Sequence, residues 1–386
     1  MAEDFLLTPT TPLTLPTLRT LLASDARVVT DAGGVPTSSP DTTASAAPLL
    51  AAACGVGAEV PGELVRLMLL LQAGQQQRRG ASAATVRRLL DFYNREVLPV
   101  VYQQGGDQAG LAHLSLPLFG LGEVNYQGYR LQTSDVLELF GWAPLPQADA
   151  DATMLLTGAS FTLAYAVRAW LRAEHLLLVA DKLSSLSLAV LRGGEELIAS
   201  PTHTACHAAL AYVQQAIEAA FTAPTPDKQP TLASNLPTPA AADISLALRT
   251  LLLTVAELGS HSAGRTEQLL QSASHTLAGL RHPVGSLLRQ NNQLCAVLLS
   301  ADSRYSNPSA DVALSTYQLL DNAEQLLGIE LVLTSQQLPA QPPDAAHLVL
   351  DAREKLPPLV EQQLVYPVVH AAAQFVRRYA HPGQGV

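Results

Sequence analysis

Apolar side chains at helical spacing, with few charged residues between them, are the feature that most constrains how this 386-residue chain can fold. Leu64, Leu67, Met68 and Leu71 recur at the i, i+3, i+4 and i+7 positions that form one face of a helix. Charged residues make up 15% of the chain, against roughly 25% in an ordinary globular protein, and apolar residues make up 48%. This composition predicts a mostly α-helical protein with a large buried surface rather than a disordered chain.

The charge distribution argues against two classes of partner. The net charge is −10, and basic residues occur in no run longer than a pair. Nucleic-acid-binding proteins normally carry a basic stripe that displaces counterions. Apolar stretches such as residues 67–71 are much shorter than the roughly 20 residues that a membrane-spanning helix needs. We therefore expect no nucleic-acid partner and no membrane partner.

The amino terminus and the cysteines both favour a cytoplasmic protein. Residues 1–4 include two acids, whereas a signal peptide begins with a positively charged segment. Cys54, Cys206 and Cys295 are widely spaced and odd in number. This pattern is typical of a reducing compartment in which structural disulfides do not form.

Composition divides the chain into three expected regions. Residues 1–45 are rich in Thr and Pro and are expected to form an extension and loop, and residues 46–150 form a second region with a strand turn near 124–129. Residues 151–386 are expected to form a helix bundle, interrupted by a Pro-rich linker at 222–243. The long helices are expected at roughly 151–173, 176–191, 204–221, 244–258, 265–280, 284–299, 312–327 and 359–379.

Short motifs follow one another in a characteristic order. The first are Ala53-Cys54-Gly55-Val56-Gly57, Val97-Leu98-Pro99-Val100-Val101, Gly105-Gly106-Asp107 and Leu111-Ala112-His113-Leu114, and later ones include Leu155-Leu156-Thr157-Gly158-Ala159 and Leu186-Ser187-Leu188-Ala189. Together they resemble the aromatic amino acid ammonia-lyase family, which comprises the histidine, phenylalanine and tyrosine lyases. The resemblance covers most of the chain from about Asp25 onward. It implies an all-α fold of the aspartase and ammonia-lyase type, with a small amino-terminal helical region and a central bundle of long helices.

The resemblance also implies a prosthetic group for which this chain lacks the precursor. The family forms a methylidene-imidazolone electrophile from consecutive Ala, Ser and Gly, and loss of the Ser hydroxyl creates the reactive carbon. When the motifs are aligned on Asp107 and His113, the three positions here are Gln104, Gly105 and Gly106. Because glycine has no β-carbon, no methylidene group can form at Gly105. We therefore expect no methylidene-imidazolone and no other cofactor.

The base and the carboxylate-binding group implied by the family are also missing from their places. The loop that carries the family's basic Tyr corresponds to residues 28–34, whereas the first tyrosine here is Tyr93. Asp31 is the residue of that segment that could accept a proton. The family's Arg, which holds the substrate carboxylate, should lie in the Pro-rich linker, where Lys228 is the only cation.

Three further positions depart from the family's pattern. Thr157 stands in the place of the family's Asn, and Ala51-Ala52 stands in the place of the pair that selects the substrate ring. The Gln-Glu motif expected near residues 302–311 is missing. We therefore expect no catalytic residues and interpret these positions as a degenerate pocket, which comprises Ala51, Ala52, Gln104, Gly105, Gly106, Asp107, His113 and Thr157.

The remaining polar candidates have simpler structural interpretations. Asp107 follows two glycines at a predicted helix start, where it can cap backbone N–H groups. His113 is interpreted as a packed, hydrogen-bonded helix residue. His203 and His207 have a spacing that metal sites use, but no second Cys or His pair lies nearby in the sequence. We therefore expect no metal site.

Three classes of function remain open. The leading hypothesis is a pseudoenzyme that acts by assembly with, or regulation of, a related lyase or pathway enzyme, or by binding a small aromatic ligand. The second is an active histidine, tyrosine or phenylalanine ammonia-lyase, or an aminomutase. The third is a different enzyme that uses Asp107, His113 or Tyr102 in the same pocket.

The helices also predict an assembly. Family members form tetramers by pooling their central bundles, and the long helices here are apolar and poor in charge. We expect a homo-oligomer or a hetero-oligomer with a related lyase, unless the chain buries its helices internally. The predicted seam consists of Ile244, Leu248, Leu251, Leu252 and Val255, extended by Leu246 and Leu253.

Overall fold

The structure is a computed structural model. It describes residues 4–9, 13–24, 26–30, 46–146, 152–193, 202–222, 239–296, 308–338, 347–357 and 364–379. Three sequence predictions concern residues outside these ranges: the loop segment 31–45 with Asp31, linker residues 223–238 with Lys228, and residues 301–307, where the Gln-Glu motif was expected.

The chain divides into two compact units, each built from separate stretches of sequence. The first unit takes Met1–Arg168, Ala216–Ser245 and Asp302–Asp311, and the second takes Ala169–Gln215, Leu246–Ala301 and Val312–Val386.

The first unit contains short strands and mostly short helices. The helices that lie entirely within it are α1 (Leu15–Ala23), α2 (Ala47–Ala52), α3 (Gly62–Arg78), α4 (Ala83–Arg95), α5 (Gly106–Ser115), α6 (Thr133–Phe140) and α7 (Ala152–Leu155). The strands are β1 (Phe5–Leu7), β2 (Val28–Thr30), β3 (Val56–Glu59), β4 (Leu98–Pro99), β5 (Tyr102–Gln104), β6 (Glu123–Tyr126) and β7 (Tyr129–Gln132). β1 and β2 pair in parallel, β3 pairs antiparallel with β5, and β4, β6 and β7 form an antiparallel sheet.

The remaining helices include the long ones. They are α8 (Ser160–Leu191), α9 (Thr204–Thr222), α10 (Pro239–Leu269), α11 (His275–Ala278), α12 (Arg281–Cys295), α13 (Pro308–Gln337), α14 (His347–Lys355) and α15 (Tyr366–Arg378). Residues of α8, α9, α10 and α13 belong to both units, and the other four helices belong to the second. The predicted all-α fold with long helices is confirmed.

Several helix boundaries differ from the sequence prediction. Helix α10 begins at Pro239, inside the predicted linker 222–243, and α13 extends beyond the predicted 312–327 at both ends. Two further differences have a local reason. The predicted helices 176–191 and most of 151–173 form the single helix α8, because residues 173–176 contain no glycine or proline to interrupt it. The break lies earlier, at Gly158, whose φ of +134° is incompatible with a continuing helix. Similarly, α10 runs through Gly259 and Gly264, where the prediction placed a gap. An isolated glycine lowers helix stability by only about 1 kcal/mol, which packing readily offsets.

Helix α3 forms the centre of the first unit. Nearly every residue from 64 to 76 is buried, including Gln72 and Gln76. These two amides donate hydrogen bonds to the carbonyl oxygens of Leu155 and Met154, at 3.1 and 3.0 Å. A buried amide without a hydrogen-bond partner would destabilise the fold. These bonds therefore give the buried glutamines of α3 their acceptors and also fix the position of α7.

For its five main residues, the predicted oligomer seam on α10 is wrong. Ile244 is 7% exposed, and Leu248, Leu251, Leu252 and Val255 are completely buried within the single chain. A face that one chain already covers offers no apolar surface to another subunit. By contrast, Leu246 and Leu253 remain 56% and 53% exposed, because they lie on the opposite side of the helix.

In the second unit, charged side chains are paired inside the helix core. Glu330 is completely buried and accepts hydrogen bonds from Arg265 Nε at 2.6 Å and from Ser187 Oγ at 2.7 Å. Arg172 donates to Asp321 at 2.6 Å and to Glu324 at 2.8 Å. Such buried pairs are stable only when each charge has its partner.

Candidate functional site

The three positions that correspond to the family's electrophile lie at the tight connection between β5 and α5: Gln104 ends β5, Gly105 connects the two elements and Gly106 begins α5. Gly105 has φ +137° and Gly106 has φ +66°, a backbone region that favours glycine. A β-carbon built on Gly105 would lie 2.6 Å from the β-carbon of Ala109 and 3.3 Å from the Cα of Gly55. The loop therefore has neither the precursor side chain nor room for one, so the residues present do not fit a methylidene-imidazolone.

Asp107 joins this loop to the start of α8. Its Oδ1 accepts a hydrogen bond from the Thr162 backbone N–H at 2.9 Å, and its Oδ2 accepts one from the Thr162 hydroxyl at 2.7 Å. A carboxylate near a helix N-terminus also interacts favourably with the helix dipole. Asp107 thus caps a helix more than fifty residues away in sequence.

His113 holds the neighbouring glycine-rich segment. The backbone N–H of Gly55 donates to His113 Nε2 at 3.1 Å, so this nitrogen is unprotonated. Burial lowers the pKa of His113, which favours the same neutral form. The ring of Tyr102 lies edge-on to the imidazole, with 5.2 Å between centroids. His113 therefore fixes the start of β3 against β5.

Thr157 lies in the turn between α7 and α8. Arg79 donates to the Thr157 carbonyl oxygen at 2.6 Å and also to its hydroxyl, which itself donates to the Met154 carbonyl at 2.7 Å. A β-carbon on Gly158 would lie 2.3 Å from Gln75 Oε1, so the turn is held tightly against α3. The hydroxyl group of Thr157 therefore forms its hydrogen bonds within this turn.

Apart from Gln104 on β5 and the connecting Gly105, the degenerate positions lie on or directly after three helices that contact one another. Ala51 and Ala52 end α2, Gly106, Asp107 and His113 lie on α5, and Thr157 follows α7. Helices α2, α5 and α7 contact one another pairwise. The two alanines present no polar or aromatic group, and every residue of the adjacent strand β3 is exposed.

An exposed polar cluster beside this region was missed by the sequence analysis. Arg130 donates to Glu59 at 2.6 Å, to Glu123 through Nε at 3.0 Å and to the Tyr102 hydroxyl at 3.1 Å. The hydrogen bonds with Glu123 and Tyr102 raise the pKa of Arg130. The cluster links β3, β5, β6 and β7. The two-residue turn at Gln127-Gly128 could have revealed this cluster from the sequence. The turn fixes the pairing of β6 with β7, which places Arg130 and Glu123 diagonally opposite each other on the same face of the hairpin.

The predicted histidine pair lies in the second unit and shares one carboxylate. Asp181 Oδ1 is 2.8 Å from His203 Nδ1, and its Oδ2 is 2.6 Å from His207 Nε2. Asp181 precedes His203 by 22 residues on another helix, so the spacing of the two histidines gave no sign of it. Across the described ranges, no group of three or more His, Cys, Asp or Glu side chains is arranged to hold a metal ion.

No helix in the described part of the chain is both long and apolar enough to cross a membrane.

Similarity to known proteins is clearest in the first half of the chain. A family model described as aromatic amino acid lyase matches residues 37–223. A histidine ammonia-lyase of Geobacillus sp. (strain WCH70) is 36% identical over 148 residues, which cover 36% of this chain and 29% of that protein. This alignment therefore spans less than a third of the curated relative.

Other similarities extend over most of the chain. A histidine ammonia-lyase of Symbiobacterium thermophilum is 27% identical over an alignment of 416 residues, covering 85% of this chain and 81% of that protein. The crystal structure of histidine ammonia-lyase from Trypanosoma cruzi superposes with a TM-score of 0.81 at 17% identity, covering 98% of this chain and 93% of that one. Tyrosine aminomutase from Streptomyces globisporus gives the same TM-score at 14% identity, with 97% of each chain covered. At these identities the solved structures show the fold alone. The family model and the histidine ammonia-lyase relatives show that the chain belongs to the aromatic amino acid lyase family.

Proposed function

We propose that this chain is a pseudoenzyme of the lyase family, which forms no methylidene-imidazolone, does not deaminate amino acids and acts by assembly with a related lyase. The observation that carries the proposal is Gly105. Formation of the electrophile needs a side chain at this position, and a β-carbon here would lie 2.6 Å from Ala109 Cβ. Real β-carbons are not found this close to one another, so the loop would have to change its path to accept serine.

The groups around Gly105 support a structural role for the loop. Each of the three candidate groups already has a hydrogen-bond partner. Asp107 accepts from Thr162, His113 Nε2 accepts from the Gly55 N–H, and the Tyr102 hydroxyl accepts a hydrogen bond from Arg130. A general acid or base must have the relevant atom available to a substrate. These contacts therefore argue against a repurposed enzyme built on the same three residues.

Assembly is supported by exposed apolar side chains near the loop. Leu50 on α2 and Val56 on β3 are 56% and 59% exposed, although α2 contacts α5 and β3 pairs with β5. The resemblance to the family implies active sites that take loops from more than one subunit. A related lyase subunit would remove these side chains from water at about 25 cal/mol per Å² of apolar surface.

Mass and absorbance measurements test the loss of the prosthetic group. The intact mass should equal the encoded mass apart from amino-terminal processing, and the ultraviolet spectrum should lack the absorbance of the imidazolone. Loss of two waters mapping to residues 103–107 would contradict the proposal. Production of urocanate, cinnamate or coumarate above background would establish the alternative, an active ammonia-lyase.

Co-expression with a catalytic lyase from the same host tests assembly. We expect the two chains to co-elute in size exclusion coupled to light scattering, and Val56→Glu should weaken this association. Leu139→Glu is the matched control, because Leu139 is 66% exposed on α6 and lies outside the proposed surface. Separate elution of both chains would contradict assembly, and equal effects of the two substitutions would contradict the location.

A further inference from the structure

A second candidate binding site lies in the second unit, between the carboxy-terminal halves of α14 and α15. These helices enclose a groove of about 400 Å³, which lies within the size range of small-molecule sites. Asp351, Lys355, Phe375, Arg378 and Tyr379 line it, together with smaller contributions from Leu356, Ala371 and Gln374. None of these residues belongs to the degenerate pocket.

The groove has an aromatic wall. The rings of Phe375 and Tyr379 lie 5.4 Å apart at an angle of 47°, and Tyr379 is only 5% exposed. The ammonium group of Lys182 lies 5.5 Å from the centroid of the Tyr379 ring. A rigid aromatic surface of this kind favours a flat apolar ligand, because two rings bury area with little loss of side-chain freedom.

The charged residues that line the groove are not paired. Within the part of the chain that the structure describes, Asp351, Lys355 and Arg378 form no ion pair and no side-chain hydrogen bond. Asp351 and Lys355 are even spaced i, i+4 on one helix, the arrangement that ordinarily favours a pair. By contrast, the neighbouring Arg377 is bound to Asp321 and Glu324.

The balance of charge around the groove is positive. Lys355 and Arg378 line it and Lys182 lies against its aromatic wall, whereas Asp351 is the one acid among the lining residues. This local excess of cations stands out in a chain whose net charge is −10. Burial and the nearby Asp351 raise the pKa of Tyr379, so its hydroxyl adds no negative charge to this balance.

We propose that this groove binds a small aromatic carboxylate, whose ring contacts Phe375 and Tyr379 and whose anionic end contacts Arg378 and Lys355. Arginine can hold a carboxylate through two parallel hydrogen bonds, and lysine adds a mobile positive charge. Asp351, one helical turn before Lys355 on α14, would repel a second carboxylate, so we expect the ligand to carry a single acidic group.

Three probes with the same ring and chain length test the charge preference: 3-phenylpropanoate, 3-phenylpropan-1-ol and 3-phenylpropylamine. Titration calorimetry on the full chain should give saturable binding of the anion at sub-millimolar to low millimolar concentration. The neutral probe should bind roughly tenfold more weakly, because it loses the charge-assisted contacts. The amine should bind most weakly.

Two substitutions locate the site. Arg378→Gln should weaken binding of the anion about five- to tenfold and leave the neutral probe unchanged. Arg289→Gln is the matched control, because Arg289 is an exposed arginine of α12 that does not line the groove. Phe375→Leu should weaken all three probes. Thermal unfolding without ligand verifies that each variant is folded.

Each contrary result overturns the proposal. No saturable binding of the anion at several millimolar would exclude the site, and equal binding of the three probes would show an apolar surface without charge selection. Equal losses in Arg378→Gln and Arg289→Gln would show non-specific attraction to positive charge. Because the assay needs no catalysis and no partner, its outcome is independent of the proposed function.

Discussion

The loop at Gly105 and the helix core around Glu330 obtain a defined geometry in opposite ways. The loop depends on the absence of a side chain, because its path leaves no space for a β-carbon at Gly105. The core depends on the presence of one, because Glu330 is the buried partner of both Arg265 and Ser187. Packing and paired buried groups therefore hold the helix core, whereas the position that corresponds to the family's serine is a glycine whose backbone path leaves no room for a side chain.

The largest effect should come from removing the buried charge. Glu330→Ala leaves Arg265, which is only 11% exposed, without its partner, so we expect a loss of about 3–5 kcal/mol in the free energy of unfolding. Chemical denaturation measures it. Glu267→Ala is the control, because Glu267 pairs with Arg281 at the exposed surface, and such pairs contribute at most about 1 kcal/mol. Similar losses in both variants would show that burial does not set the strength of these pairs.

Adding a side chain to the loop should have the next largest effect. Gly105→Ala forces a β-carbon against Ala109 and a left-handed backbone on a non-glycine residue, so we expect a loss of about 1–3 kcal/mol in unfolding free energy. Gly264→Ala is the opposite case, since it lies inside α10 with open space around the added carbon. That variant should gain about 0.5–1 kcal/mol. If Gly105→Ala left the free energy of unfolding unchanged, the loop would be able to relax around the added carbon. The steric argument for the proposed function would then be weaker.

The same site tests whether chemistry can be restored. Gln104→Ala combined with Gly105→Ser recreates the family's Ala-Ser-Gly sequence, but we expect no water loss in the intact mass and no turnover. The serine is sterically excluded, and Thr157 and the two alanines of α2 still replace other family residues. A mass lower by two waters would show that the precursor sequence alone is sufficient.

Removing the Asp107 anchor should have a smaller effect. Asp107→Ala leaves the Thr162 N–H and hydroxyl without their acceptor, and helix caps typically contribute about 1–2 kcal/mol to stability. A double-mutant cycle with Thr162→Val isolates the side-chain bond. We expect a coupling energy of at least about 0.5 kcal/mol for groups in direct contact. Additive effects would mean that Asp107 acts on the loop rather than on α8.

Local elements could be predicted from the sequence, but the contacts between them could not. Helices such as α3 and α4 follow from apolar spacing and the Ser82 cap, and the hairpin at β6 and β7 follows from its turn. The contacts that shape the site join Asp107 to Thr162 across 55 residues and Gly55 to His113 across 58. No local periodicity encodes such pairs. The α10 face was misjudged because apolar spacing indicates burial without identifying what buries it.

The smallest effect concerns the proton state of His113. Because its folded pKa is lowered from 6.5, the unfolded chain binds a proton at a higher pH than the folded chain does. The stabilisation is therefore complete above about pH 6.5 and is lost as the pH falls from there towards the folded pKa. Protonation also removes the acceptor for the Gly55 N–H, and such a hydrogen bond contributes about 0.5–1.5 kcal/mol.

Unfolding free energies of the parent chain and of His113→Gln should therefore converge as the pH is lowered from 7.5 to 5. His282→Gln is the control, because His282 is exposed on α12 and its substitution removes no buried contact. A difference for His113→Gln that stays constant over this range would mean that the imidazole holds β3 by packing alone.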